Sequence, residues 1–176
     1  MRGALLRIAG WAEAVLRPLF LACALLAALA ATAIVGLIGA SVAMRYFANA
    51  PFRFTEEAVG LLVTAAFFLA LPLVTYRAEH VRVTVAVAAL PEGARRVVQA
   101  LAGLFGVAFC AWFVLLCLPW LGFALDRGIK TEVARLLLWP WMALLPVSLL
   151  LTGAAFVLRA VSPEPDPEPA PGARAP

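Results

Sequence analysis

The stretch Leu19–Met44, LFLACALLAALAATAIVGLIGASVAM, decides the fold, because no Asp, Glu, Lys, Arg or His occurs anywhere along it. A hydrocarbon core of about 30 Å needs roughly 20 apolar residues of helix to cross it, and this run is longer than that. Three further runs, Ala58–Tyr76, Val97–Leu125 and Leu136–Leu158, are equally free of charge. In lipid every backbone N–H and C=O must find a partner within the protein, so runs of this length read as helices. The expected fold class is therefore all-α integral membrane: four transmembrane helices with short amphipathic interfacial helices, and both termini cytoplasmic.

Composition agrees. Of 176 residues 65% are hydrophobic and only 14% charged, more apolar surface than a soluble domain of this size can hide. Residues 1–161 are read as one membrane domain. The net charge of +4 comes from basic residues at membrane borders, the footprint of topology control rather than of nucleic-acid binding. Cys23, Cys110 and Cys117 all fall inside apolar runs without a C-x-x-C pair, and they read as small packing residues. The first run continues to Met44, too long for a signal-peptide core, so it is read as a retained span.

Residues 2–17 have helical periodicity, with Leu5, Ile8, Ala12, Val15 and Leu19 on one face and Arg2, Glu13 and Arg17 opposite. Two arrangements fit: a helix lying in the headgroup region before Pro18, or an extension of the first span. Small residues recur at every fourth position of the first span, at Ala24, Ala28, Thr32, Gly36 and Ala40. Such a ridge lets another helix backbone approach closely, and it is expected to be a packing face. Thr55 is placed to cap the second span, ahead of the carboxylates Glu56 and Glu57. Pro72 predicts a local kink. Val83–Leu90 is apolar but too short to span, and it reads as an interfacial or re-entrant segment. Trp139 and Trp141 mark a membrane interface. The tail from 162 to 176, beginning Ser-Pro-Glu-Pro-Asp-Pro, reads as disordered.

Orientation follows from the basic residues. Arg2, Arg7, Arg17, Arg77, Arg82, Arg95, Arg96 and Arg159 would share one side, against Arg45, Arg53, Arg127, Lys130 and Arg135 on the other. The heavier side is expected to be cytoplasmic.

Little else in the chain can carry chemistry. A single histidine, His80, excludes a bis-histidine haem and makes a histidine-based metal site improbable. No carboxylate lies within a span to bind a cation or relay protons. No enzyme activity, cofactor or metal is expected. Arg45 ends the first span and Glu56–Glu57 begin the second, so an ion pair between them could orient the hairpin; snorkelling and capping in the headgroups is the alternative.

These residues carry a resemblance. Arg45-Tyr46-Phe47, Asn49-Ala50-Pro51-Phe52 and Thr55-Glu56-Glu57 are followed after one span by Glu79-His80-Val81-Arg82-Val83, then Pro91, then Leu144-Leu145-Pro146. In this order and spacing the chain resembles the small membrane subunit of the tripartite ATP-independent periplasmic (TRAP) transporters, the DctQ-like family. The pattern departs from that family at Arg53-Phe54, where a Trp-x-Glu-Glu sequence is typical, and at Thr84, where Asp is common. The resemblance implies an auxiliary subunit in the bacterial inner membrane. Its partners would be a large permease subunit, which holds the sodium and substrate sites, and a periplasmic binding protein that delivers an organic acid. Two alternatives are the small four-span subunit of a tripartite tricarboxylate transporter and a four-span membrane enzyme or electron carrier.

Overall fold

A computed structural model of the chain describes residues 2–50, 52–77 and 92–161. Among these, four helices follow one another: α1 (Arg2–Ala48), α2 (Thr55–Tyr76), α3 (Glu92–Arg127) and α4 (Trp139–Val161). All four are long and apolar enough to cross a membrane. The one extended pairing among the described residues is an isolated antiparallel bridge between Lys130 and Leu137. His80, Arg82, the apolar segment Val83–Leu90 and the tail from 162 lie outside the described residues.

Helix ends differ from the apolar runs for identifiable reasons. α1 continues through Pro18, so residues 2–17 extend the first span instead of forming a separate interfacial helix. At 1.5 Å per residue its 47 residues reach about 70 Å, well beyond a bilayer core. The face that turns inward there is Ala12, Leu16 and Phe20, packed against Leu73, Tyr76, Ala155 and Leu158. Val15 and Leu19, on the same apolar face as Ala12 by periodicity, are exposed. α3 closes at Gly128, whose φ of 56° is the left-handed conformation glycine adopts freely. There Ile129 N–H donates to the Ala124 carbonyl (3.3 Å) and Gly128 N–H to that of Leu125 (3.4 Å), which satisfies two carbonyls at the helix end. α4 begins at Trp139, three residues later than the apolar run, with Pro140 in its first turn, where a missing N–H removes no helical bond.

The helices pack in the lateral order α1, α2, α4, α3, with α1 also touching α4. α2 and α4 are the inner pair and bury several-fold more of their spans than α1 and α3. Ala65, Leu69 and Pro72 recur on one face of α2 and are buried. Ala27, Ala65 and Leu69 form a core against Cys23, Trp141 and Leu144, and the Phe20 and Tyr76 rings meet with centroids 5.4 Å apart. Trp141 is thus partly inside the bundle, while Trp139 keeps an exposed position. α3 joins α4 through small residues. The ring of Phe156 lies over Gly106, and Gly153 faces Cys110, with its added Cβ 3.6 Å from that of Cys110. Lipid tails are as apolar as leucine, so close fit and polar ties, more than exclusion from water, hold such helices together.

The ridge Ala24, Ala28, Thr32, Gly36, Ala40 is not the face α1 uses within this chain. Apart from Ala24 its members are exposed, and a Cβ added to Gly36 would meet nothing within 4 Å. The internal contacts run instead through Phe20, Cys23 and Ala27, because these larger or better-placed groups fill the groove between α2 and α4.

Candidate functional site

The polar side chains outside the lipid-facing surfaces gather as ties between α2 and its neighbours. Glu56 and Glu57 occupy the first turn of α2, where the helix dipole favours negative charge. Phe54 takes the cap position with no side-chain hydrogen bond. Thr55, expected as the cap, is already helical. Its hydroxyl donates to the Phe52 carbonyl (2.8 Å) and lies 3.1 Å from Ser41 Oγ on α1.

Glu57 makes the most specific contact. Its two carboxylate oxygens accept the backbone N–H groups of Val133 (2.8 Å) and Ala134 (2.9 Å), at the tip of the loop between α3 and α4. That loop is a short hairpin. Thr131 N–H donates to the Leu136 carbonyl (2.9 Å), Leu138 N–H to that of Ile129 (3.0 Å), and Leu136 N–H to Thr131 Oγ1 (3.1 Å). Two successive N–H groups form a concavity suited to an oxyanion, and bonds to a charged acceptor are among the stronger ones. Glu57 precedes the apolar run of α2 and lies at its solvent end. The Ala134 N–H, then that of Val133, holds its carboxyl below the usual range, against a smaller opposing effect of burial. The hairpin tip also contains Arg135, whose φ of 56° is rare for a side chain of its size.

Of the two arrangements open to Arg45, an ion pair with Glu56 or Glu57 and snorkelling with capping, the described residues show no ion pair to either carboxylate. Ser41 is level with Thr55, so Arg45 stands one helical turn beyond the start of α2, and Glu57 is already committed to the hairpin. Arg45 and Glu56 are exposed, as are Tyr46 (82%) and Phe47 (92%). At the end of α3, the Arg127 guanidinium lies 5.4 Å from the centroid of the Phe123 ring.

At the opposite end, Tyr76 OH donates to Glu13 Oε1, which turns Glu13 inward from the polar face assigned to it by periodicity. Arg159 Nη1 donates to the Thr75 carbonyl (3.1 Å) in the last turn of α2. Between the two ends Ser148 of α4 donates to the carbonyl of Phe68 on α2. None of these partners is close in sequence, which is why local pattern did not reveal them; only Pro72, four residues after Phe68, signalled that a carbonyl would need a donor.

Among the described residues no cluster of three or more His, Cys, Asp or Glu could hold a metal ion. The ties join helix to helix and loop to helix, an arrangement that sets shape. No curated protein and no solved structure matches the chain significantly. A protein-family model does, over residues 34–164, well over half of the chain, and its description is "Tripartite ATP-independent periplasmic transporters, DctQ component". That family is a transporter component and not an enzyme family. A four-span membrane chain whose polar groups serve to fix its helices, matched across three of its spans and part of the first, belongs to the DctQ family of TRAP transporter components.

Proposed function

We propose that this chain is the auxiliary small permease subunit of a sodium-coupled TRAP transporter. It scaffolds the large permease subunit during uptake of an organic acid delivered by a periplasmic binding protein. It lies in the bacterial inner membrane with both termini in the cytoplasm, and transport requires its partners.

The observation that carries this reading is the contrast between its spans and its outer faces. The four apolar runs hold no ionisable group that could bind a coupled ion or a carboxylate. Meanwhile α1 and α3, the outermost helices, leave partner-sized surfaces uncovered. α1 exposes Ala28, Thr32, Gly36 and Ala40, a strip over which another backbone can approach closely. α3 exposes Phe105, Phe109 and Trp112 on one face. Trp112 is 59% exposed beside Phe113, whose ring faces Phe68 near the middle of α2. Tryptophan favours the membrane interface over mid-span lipid, so cover by a protein partner suits it better.

Photo-crosslinkers placed at Gly36 and at Trp112, in cells expressing the adjacent large permease, test the reading. Covalent capture of the permease from either position is expected, with none from buried Ala155. Failure at both exposed positions, in an otherwise assembled complex, would reject it. A reporter fused after Ala48 should be periplasmic; a cytoplasmic signal would reverse the orientation.

A further inference from the structure

α2 contains Pro72 in its buried face, and proline has no N–H to give the carbonyl four residues earlier. That carbonyl belongs to Phe68, within the span, where no water can replace the lost donor. Ser148 Oγ of α4, itself fully buried, donates to it. Three threonines within the spans bond differently. Thr32 donates to the Ala28 carbonyl (2.9 Å), Thr64 to that of Gly60 (3.0 Å) and Thr152 to that of Ser148 (2.8 Å), each four residues back on its own helix. Back-bonding of this kind is the default for Ser and Thr inside helices. Ser148 alone among these reaches across to a neighbour, although the Leu144 carbonyl lies four residues behind it. Pro146, two residues earlier and buried, gives α4 its own proline beside the contact.

We propose that Ser148 is the latch of a proline hinge. In the latched state its hydroxyl caps the Phe68 carbonyl and ties α2 to α4 at the proline. In the released state the hydroxyl returns to the Leu144 carbonyl of its own helix, and α2 is free to change its angle about Phe68–Pro72. One side-chain rotation separates two hydrogen-bonded positions of the Ser148 hydroxyl; only the first joins the helices, and the second leaves the Phe68 carbonyl without its donor. The latch belongs to this chain and stands apart from the assignment to a transporter.

The test is a cycle of Ser148→Ala and Pro72→Ala in the full chain, reconstituted in lipid nanodiscs. An isotope-labelled carbonyl at Phe68 reports its own hydrogen bond by infrared spectroscopy, and thermal unfolding reports the energetic consequence. Ser148→Ala is expected to shift the labelled band to higher frequency and to lower the melting temperature by about 1–6 °C. In the Pro72→Ala background the new N–H at position 72 serves the carbonyl, and Ser148→Ala should then change neither readout. Equal effects of Ser148→Ala in both backgrounds would show that the serine acts by packing alone and would overturn the proposal. If the Pro72→Ala chain does not fold, Ser148→Thr decides. A band returned to the wild-type position upholds the latch, and a band left where Ser148→Ala puts it overturns it.

Discussion

Replacing Gly106 by alanine probes how α3 is held, because the contact has a known geometry and two opposing consequences. A Cβ built at Gly106 lies 2.7 Å from two carbons of the Phe156 ring and 2.9 Å from a third. The ring or the helix must move, and overpacking of this kind costs about 1–3 kcal/mol. Removing glycine from a helix interior gains back up to about 1 kcal/mol. Gly103 and Gly122 on the same helix have nothing within 4 Å of an added Cβ, so Gly103→Ala and Gly122→Ala report the gain alone. The quantity to measure is the difference between Gly106→Ala and these controls, about 1–3 kcal/mol in favour of the controls. For a chain of this length that corresponds to about 2–12 °C in thermal unfolding of the purified protein in detergent. Phe156→Leu combined with Gly106→Ala should close most of the gap, since the smaller side chain vacates the space. The reasoning is refuted if Gly106→Ala and Gly103→Ala shift the transition equally, or if Phe156→Leu leaves the gap unchanged.

Three further outcomes follow from the hairpin. Glu57→Gln keeps the shape but loses the charge that receives two N–H groups, so a cysteine introduced at Val133 should react faster with a water-soluble maleimide than in the parent; an unchanged rate would remove the carboxylate from its assigned role. The Glu57 carboxyl is held below its ordinary value, so its tie is fully present above the unfolded carboxylate range of about 4.3 and is lost only as pH falls through the lower, folded value. Maleimide reactivity at Val133 cannot be followed that low, but backbone hydrogen exchange at Ala134 can: protection should persist at about pH 5 and fade only below the ordinary carboxylate value of about 4.3, and loss between about pH 6 and pH 5 would contradict it. Arg135→Gly relieves a left-handed backbone worth about 1 kcal/mol, and should raise or preserve the protection of Ala134; a fall would mean that the Arg135 side chain holds the turn.

The sequence made some of this legible and hid the rest for physical reasons. The four spans could be read directly because lipid excludes charge, and a charge-free run from Leu19 to Met44 is far longer than the core of a soluble helix needs. Helix ends were less visible. Pro18 looked like a boundary, yet Leu16 and Phe20 on either side of it pack inward and carry α1 straight through. Leu136–Leu138 looked like span, yet they are consumed by a hairpin whose bonds run to Ile129 and Thr131. Glu57 was singled out as a first-turn carboxylate or a partner for Arg45, but the groups it holds lie 76 and 77 residues away and are backbone atoms, which no residue pattern can encode. Thr55 missed its cap role by a single position, a distance at which helix boundaries are decided by tertiary contacts such as that with Ser41. The small-residue ridge of α1 was expected to be a packing face; that it faces away from this bundle depends on which side of α1 the larger Phe20 claims.

The central claim is that this chain shapes a transporter without itself carrying the ion or the solute. Sodium-driven uptake of labelled organic acids into proteoliposomes measures it most directly. With this protein alone, accumulation should equal that of empty liposomes. With the large permease and the binding protein added it should rise, and it should fall again when this subunit is left out. Accumulation by the isolated chain under an inward sodium gradient would contradict the account.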